Sequence, residues 1–274
     1  MHNLIEKRKE ERRKGKGNKM QEAKIGIMGF GFVGQALAGI CNGLVKIYDP
    51  KFKENRINGY KVDLKNCDII FICVGSPSKE DGSLDDTQVM SSLEYLDKQQ
   101  FKGLVVIKST ILYGHISEFI SKSELKIVVN PEFLSQISSY EDAQNQTEIL
   151  IGCDNIIYAK ELMDFYDTQT NLVGHNFEIC SIKEACDFKY IRNIFGATLV
   201  TFWEMVHDCT GGNSRKMAKL LNKFPLPSKM NQVGMDGERG FSGACFPKDV
   251  AAWSHFHSDK FTRMLLEYNQ DVQD

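Results

Sequence analysis

The sequence predicts an α/β protein, a doubly wound parallel sheet followed by a helical domain. Three observations carry that expectation. Short apolar runs rich in Ile and Val alternate with helix-length amphipathic segments over the first 175 residues, the pattern of strands buried on both faces of a parallel sheet. A glycine-rich turn follows the first run directly. After about Glu178 the alternation gives way to a 29-residue stretch, Ser181 to Cys209, that lacks proline and carries apolar positions at helical spacing.

The strands are predicted in order at Lys24 to Met28, Val45 to Tyr48, Asp68 to Val74, Leu104 to Lys108, Lys126 to Val129 and Ile149 to Ile151. A first helix, Gln35 to Cys41, follows the glycine turn, and the long stretch from Ser181 reads as a long, buried helix. Shorter helices are predicted around Ser214 to Asn222, Asp249 to His257 and Phe261 to Gln270, with a Gly- and Pro-containing loop, Phe224 to Phe246, long enough to be functional. The domains expected are therefore a charged arm over 1–22 too poor in apolar periodicity to bury anything, a sheet domain over 23–177 and a helical domain over 178–274.

Composition narrows the function classes. The 34 basic and 36 acidic side chains give a formal net charge of -2, so no global positive field argues for nucleic acid. The first twenty residues hold eight Lys or Arg against three Glu, a +5 arm that leaves -7 on the remainder; it reads as a solvated tail. No apolar run reaches membrane-spanning length and the N-terminus lacks a signal-like apolar segment, so a soluble cytoplasmic protein without membrane contact is expected. Eight cysteines without CxxC spacing read as thiols in a reducing compartment rather than a disulfide frame, and no metal site is expected.

Gly29, Phe30, Gly31, Phe32, Val33 and Gly34 form GFGFVG between the first strand and the first helix. In a dinucleotide site the first glycine permits the tight turn, the second lets the backbone approach a pyrophosphate, and the third allows close helix packing. The helix N-terminus then offers N–H groups and positive dipole to the anion. Asp49, twenty residues after Gly29, ends the second strand where a carboxylate accepts hydrogen bonds from the adenosine ribose, which favours NAD over NADP. Lys51 and Lys53 soften that preference. The bland alternative is a glycine turn in an unrelated α/β fold.

A second cluster, Gly240 to Asp249, places Cys245 in a glycine-rich segment followed by Lys248 and Asp249. A nearby cation favours thiolate over thiol, although a cysteine in such a loop is also read as a small buried hydrophobe. Lys189 and Asn193 stand four apart on the long helix, hence on one face. Beside Ile191, Ile194 and Phe195, a buried Lys189 could stabilise an alkoxide next to a nicotinamide.

With these residues in place, the chain resembles the UDP-glucose/GDP-mannose dehydrogenase family of nucleotide-sugar 6-dehydrogenases. The resemblance runs from Lys24 to the C-terminus through GFGFVG, CVGSPSKEDGSLD (73–85), KST (108–110), NPEFL (130–134) and GACFPKD (243–249), with KYIRN (189–193) where the family keeps its catalytic Lys and Asn. It implies a Rossmann domain and a helical central domain that dimerises. It also implies oxidation of a sugar C6 alcohol to a uronic acid with two NAD, through a thiohemiacetal and a thioester on Cys245. Lys189 and Asn193 would stabilise oxyanions, Asp249 and Thr110 would position water, and Glu132 would be the base for hydrolysis. Val74, Ser76, Pro77, Thr110 and Lys248 would lie along the dinucleotide. Phe133, Leu134, Lys229, Arg239, Phe241 and Gly243 would join Lys189 and Asn193 around a nucleotide-sugar substrate, UDP-glucose being the family's commonest. A uronic-acid product would feed an acidic polysaccharide.

Two departures bear on this. Gln136 stands where the family commonly has a second Glu, keeping a cofactor-facing amide without its charge. Family members also continue into a second Rossmann-like domain that binds the nucleotide half of the donor, and this chain reads as a short form without it. Two other readings compete: a two-electron hydroxyacid dehydrogenase, against which Cys245 argues, and a non-catalytic nucleotide-binding scaffold.

Overall fold

The computed structural model describes residues 23–50, 56–57, 60–61, 64–135, 137–224, 239–242 and 245–274, with the backbone alone at 56–57 and 60–61. The basic arm, Lys51, Lys53, Gln136, Lys229, Gly243 and most of the 224–246 loop lie outside the described residues. The described chain divides into two compact units between Ile191 and Arg192.

The first unit is built on a seven-stranded sheet. Strands β1 (Ile25–Met28), β2 (Val45–Tyr48), β5 (Ile69–Ile72), β6 (Leu104–Ile107) and β7 (Lys126–Val129) run parallel in spatial order β2-β1-β5-β6-β7. A small antiparallel pair, β3 (Arg56–Ile57) and β4 (Tyr60–Lys61), stands apart. Successive side chains point to opposite faces, and both faces are covered. Ile25, Ile27, Phe71 and Val106 pack with helices α1 (Phe32–Ile40) and α5 (Ile156–Gln169). Met28, Ile70, Ile72 and Val105 pack with α2 (Thr87–Lys98), α3 (Tyr113–Lys122) and the first turn of α6 (Ile182–Cys209). Residues such as Ile25, Phe71 and Ile107 are fully buried, each contributing roughly 1.5–3 kcal/mol. This is the doubly wound α/β architecture that the apolar runs predict.

Three features differ from the sequence expectation. After the short helix α4 (Ser139–Gln144), strand β8 (Glu148–Gly152) runs antiparallel to β7, meeting it at Val129 and Gly152. An apolar run reports burial but not direction. A further strand, β9 (Asn176–Cys180), pairs parallel with β8 at the sheet edge. Its residues are exposed or half-buried, so it carries no continuous apolar run to read. The long helix α6 is buried at Ile182, Ala185, Cys186 and Lys189 but exposed at Ile191, Ile194 and Phe195. The expectation of a helix buried along its length is therefore corrected: periodicity shows that a face is apolar and not what covers it.

The second unit contains the remainder of α6 with α7 (Ser214–Lys223), α8 (Phe246–His257) and α9 (Lys260–Gln273). Asp259 caps α9, its Oδ1 accepting from the Thr262 N–H at 2.8 Å, and Phe202 packs against Phe261 at 6.1 Å between ring centroids.

One polar network crosses the sheet interior. Lys108, the residue after β6, is 7% exposed. Its Nζ donates to Asn130 Oδ1 at 2.8 Å, to the Asn130 carbonyl at 3.2 Å and to the Tyr166 hydroxyl at 3.4 Å. Tyr166 donates to the same Oδ1 at 2.6 Å, and Asn130 Nδ2 donates to the Leu150 carbonyl at 2.7 Å. Burial pushes the Lys108 ammonium down to about 8, because removing a charge from water disfavours it.

Two outcomes test this packing. A Cβ at Gly34 in α1 would lie 2.3 Å from the Gly29 carbonyl oxygen, which is backbone and cannot swing away. Gly34→Ala should therefore destabilise by about 1–3 kcal/mol in urea unfolding, outweighing the roughly 0.5–1 kcal/mol that alanine normally gains in a helix. Lys108 binds its proton less tightly folded, near pH 8, than unfolded, near 10.5. Its burial therefore opposes folding below pH 8, and that opposition fades as pH rises towards 10.5. The unfolding free energy of the wild type minus that of Lys108→Met should rise across this window by about 3 kcal/mol. The difference cancels the opposing loss from the thiols of Cys41, Cys73 and Cys186, which burial pushes up to about 12.

Candidate active site

The parallel strands release their loops at one edge, and the topology reverses between β1 and β5, the place where open α/β sheets bind ligands. Gly29 leaves β1 with φ +88°, and a Cβ there would lie 2.7 Å from the backbone of Cys73 and Val74; only glycine passes. Gly31 is the N-cap of α1, with no side-chain cap bond and no acidic group in the first turn. A Cβ at Gly31 would meet nothing within 4 Å. The helix N-terminus thus faces open space at Gly31 with no carboxylate in its own first turn, and the cradle fits a pyrophosphate. Phe30 and Val33 are half-buried and Phe32 is exposed beside it. Asp49, half-buried after β2, accepts from the Phe30 N–H at 2.7 Å through Oδ2. That bond fixes the carboxylate against the glycine turn.

The neighbouring loops are tied to one another. Ser109 Oγ donates to the Val74 carbonyl at 2.7 Å and lies 3.2 Å from the Ile72 carbonyl, joining the CVGSP and KST segments. Val74, Ser76 and Thr110 are half-buried there and Pro77 is exposed. In the NPEFL segment, Glu132 meets Lys189 from α6. Lys189 Nζ donates to the Glu132 carbonyl at 2.6 Å and to its Oε1 at 3.0 Å, while the Leu134 N–H donates to Oε2 at 2.7 Å. The two side chains are 8% and 11% exposed, so the ion pair is largely out of water, where breaking it is expensive. Phe133 lies under the Lys189 ammonium at 5.6 Å and packs edge-on against Phe188. Among the described residues, two of the three Lys189 N–H groups are committed to Glu132.

Asn193, Arg239, Phe241, Cys245, Lys248 and Asp249 belong to the second unit. Cys245 is exposed at the N-cap of α8, with Pro247 in the first turn, and its carbonyl accepts from the Asp249 N–H at 2.9 Å. The other seven cysteines are buried or half-buried. Lys248 pairs with the adjacent Asp249; this bond and the carboxylate charge hold the ammonium above its ordinary range. Its charge is thus shared with Asp249 rather than reserved for the thiol. Asn193 and Arg239 are exposed. Phe241 is held by Asn269 of α9, which accepts from the Phe241 N–H at 2.6 Å and donates to its carbonyl at 3.1 Å.

Sequence reasoning missed Lys108 as a site-forming residue, together with Asn130, Tyr166, Ser109 and Asn269. For Lys108 a signal existed: a lysine closing the apolar run LVVI of a strand buried on both faces requires internal partners. Asn130, Tyr166 and Asn269 meet their partners across long sequence separations that no local pattern reports.

Residues 42–170 match the UDP-glucose/GDP-mannose dehydrogenase family, NAD binding domain. The UDP-glucose 6-dehydrogenase of Rickettsia felis is 31% identical over 252 residues, covering 83% of this chain and 55% of that protein. The one from Rickettsia conorii is 34% identical over 204 residues, covering 71% and 46%. The chain spans about half the length of these curated relatives. Among solved structures, GDP-mannose dehydrogenase from Pseudomonas aeruginosa superposes with TM-score 0.77 at 21% identity, over 91% of this chain and 69% of that one. UDP-glucose dehydrogenase from Pyrobaculum islandicum gives 0.64 at 24%, over 92% and 69%; these two show the shared fold. Among the described residues no helix is long and apolar enough to cross a membrane. The glycine cradle, the anchored Asp49 and these matches together assign NAD as the cofactor, and residues 42–170 belong to the NAD binding domain of the UDP-glucose/GDP-mannose dehydrogenase family.

Proposed function

We propose that this chain carries out the NAD-dependent oxidation of a nucleotide sugar at C6 to the uronic acid, with UDP-glucose as the substrate. The observation that carries the reading is Cys245: it is the exposed cysteine, seated at a helix N-terminus, while burial drives Cys41, Cys73 and Cys186 up to about 12 and keeps them protonated. The names of the curated relatives support the substrate, and the motif order supports residues 23–177 as the cofactor domain and 178–274 as the catalytic-loop and dimerisation domain.

NAD, when held in the glycine cradle, would supply the hydride acceptor for each of two oxidations. The chain's residues supply the rest. Lys189, held by Glu132, directs an N–H to the oxyanion of the alcohol and later of the tetrahedral adducts, with Asn193 as the second donor. The Cys245 sulfur adds to the aldehyde carbon, forming a C–S bond and trapping a product that would otherwise diffuse away during cofactor exchange. Loss of the second hydride leaves a thioester. Water placed by Asp249 and Thr110 accepts the hydroxyl proton released in each oxidation. In the hydrolysis a further water adds to the acyl carbon, Glu132 takes its proton and returns it to sulfur, and the C–S bond breaks to give back the thiol and release the carboxylate. Four electrons leave the sugar as two hydrides. By the family resemblance, Phe133, Leu134, Phe241 and Gly243 would serve the sugar, Lys229 and Arg239 the nucleotide phosphates, and Gln136 and Lys248 the cofactor. The protein acts in the cytoplasm as a homodimer.

Incubation with NAD and UDP-glucose, GDP-mannose or related donors should yield two NADH per acid, and Cys245→Ala should abolish acid formation. One NADH per product from a hydroxyacid would replace this reading with a simple dehydrogenase, and cofactor binding without turnover of any donor would replace it with a binding protein. Asp49→Ala should weaken NAD by about 10- to 100-fold in calorimetry, the loss of a charge-assisted hydrogen bond worth roughly 1.5–3 kcal/mol.

A further inference from the structure

The NPEFL turn is held from two sides by lysines, and the proposed chemistry uses one of them. Lys189 grips Glu132 through its carbonyl and Oε1. Lys108, two residues before Thr110, grips Asn130 through its carbonyl and Oδ1. Only Pro131 separates the two gripped residues, and it is buried. A proline fixes its own φ and restricts the residue before it. An orientation imposed at Asn130 is therefore transmitted to Glu132 with little freedom between.

The donor arithmetic at Lys108 closes. An ammonium has three N–H groups, and three acceptors lie within hydrogen-bond distance: Asn130 O, Asn130 Oδ1 and Tyr166 Oη. Asn130 is equally determined, because its N–H reaches the Ile107 carbonyl at 2.9 Å and its amide reaches Leu150. Of the groups acting on Lys108, Glu132 from the turn favours the ammonium and Lys189 from α6 opposes it, while the Cys73 thiol, just after β5, is held protonated by burial. The Tyr166 hydroxyl is held protonated by burial and serves as a neutral partner. A buried ammonium opposes folding where an apolar side chain of similar length would not, so its presence calls for a use other than stability.

We propose that Lys108 is a positioning residue for the hydrolytic half of the reaction: acting through Asn130, it fixes the Pro131–Glu132 turn so that the Glu132 carboxylate stays aimed while Lys189 engages an oxyanion. It touches neither cofactor nor substrate. When an oxyanion draws the Lys189 ammonium, the Glu132 carboxylate loses part of one anchor, and the Lys108–Asn130 contact is the anchor that does not change during the cycle. This role rests on the nucleotide-sugar oxidation proposed above.

The test uses the full chain with Lys108→Met, Asn130→Ala, the double variant and Tyr166→Phe, which leaves the Lys108–Asn130 bonds in place. In rapid-mixing NADH kinetics with UDP-glucose, Lys108→Met should keep a burst of two NADH per active site at the wild-type rate. It should then turn over about 10- to 100-fold more slowly, with KM and NAD affinity unchanged. Asn130→Ala should match it, the double variant should be no slower than either, and Tyr166→Phe should stay within about threefold of wild type. Independently of turnover, amide exchange at Leu134, whose N–H is bound by Glu132 Oε2, should accelerate in Lys108→Met and not in Tyr166→Phe. Equal slowing of burst and steady state, or unchanged exchange at Leu134, would overturn the positioning role. A wild type that turns over no nucleotide sugar would instead remove the underlying reaction, leaving the exchange result to decide whether Lys108 orders the turn.

Discussion

Burial of both faces of the parallel strands β1, β5, β6 and β7 is the constraint from which the rest of this molecule follows. Because these strands and β2 run parallel, the loops that follow them all leave at the same end of the sheet, the edge formed by their C-terminal ends. Here that edge receives the glycine turn after β1, Asp49 after β2, the CVGSP loop after β5, KST after β6 and NPEFL after β7. The ladder continues past the strands, with Gly29 bonded to Tyr48, Cys73 to Met28, Lys108 to Ile72 and Asn130 to Ile107. Motifs scattered over about a hundred residues of sequence are adjacent because their strands are.

Placement alone does not fix side chains. At this edge the fixing is done by buried and half-buried polar groups, each held by a specific partner: Asp49 on the Phe30 N–H, Ser109 on Val74, Lys108 on Asn130, Lys189 on Glu132. Each opposes folding through desolvation and recovers that loss only in one geometry. An arrangement of this kind trades stability for orientation, which suits a site that must hold donors in place before charge develops.

How much of this was legible in the sequence depends on the range of the interaction. The parallel strands and the glycine turn were legible because burial and turn geometry write local, periodic signals. The direction of β8 and the existence of β9 were not, since direction leaves no periodic trace and an edge strand shows polar residues. The exposed stretch of α6 around Ile194 and Phe195 reads as apolar whether or not anything covers it. At the site, the motifs named Glu132 and Lys189 separately, and the resemblance assigned them roles. That they pair, and that Lys108 pairs with Asn130 and Tyr166 from two other elements, depends on contacts 22 to 58 residues apart.

The account stands on Cys245 carrying the sugar covalently between its two oxidations. Acid quenching of the enzyme during turnover with UDP-glucose and NAD, followed by peptide mass mapping, tests this most directly. A glucuronyl thioester on the peptide containing Cys245, absent from Cys245→Ala and lost on chase with excess unlabelled substrate, is the predicted result. Uronic acid formed at full rate with no adduct on that peptide, or by Cys245→Ala itself, would contradict it.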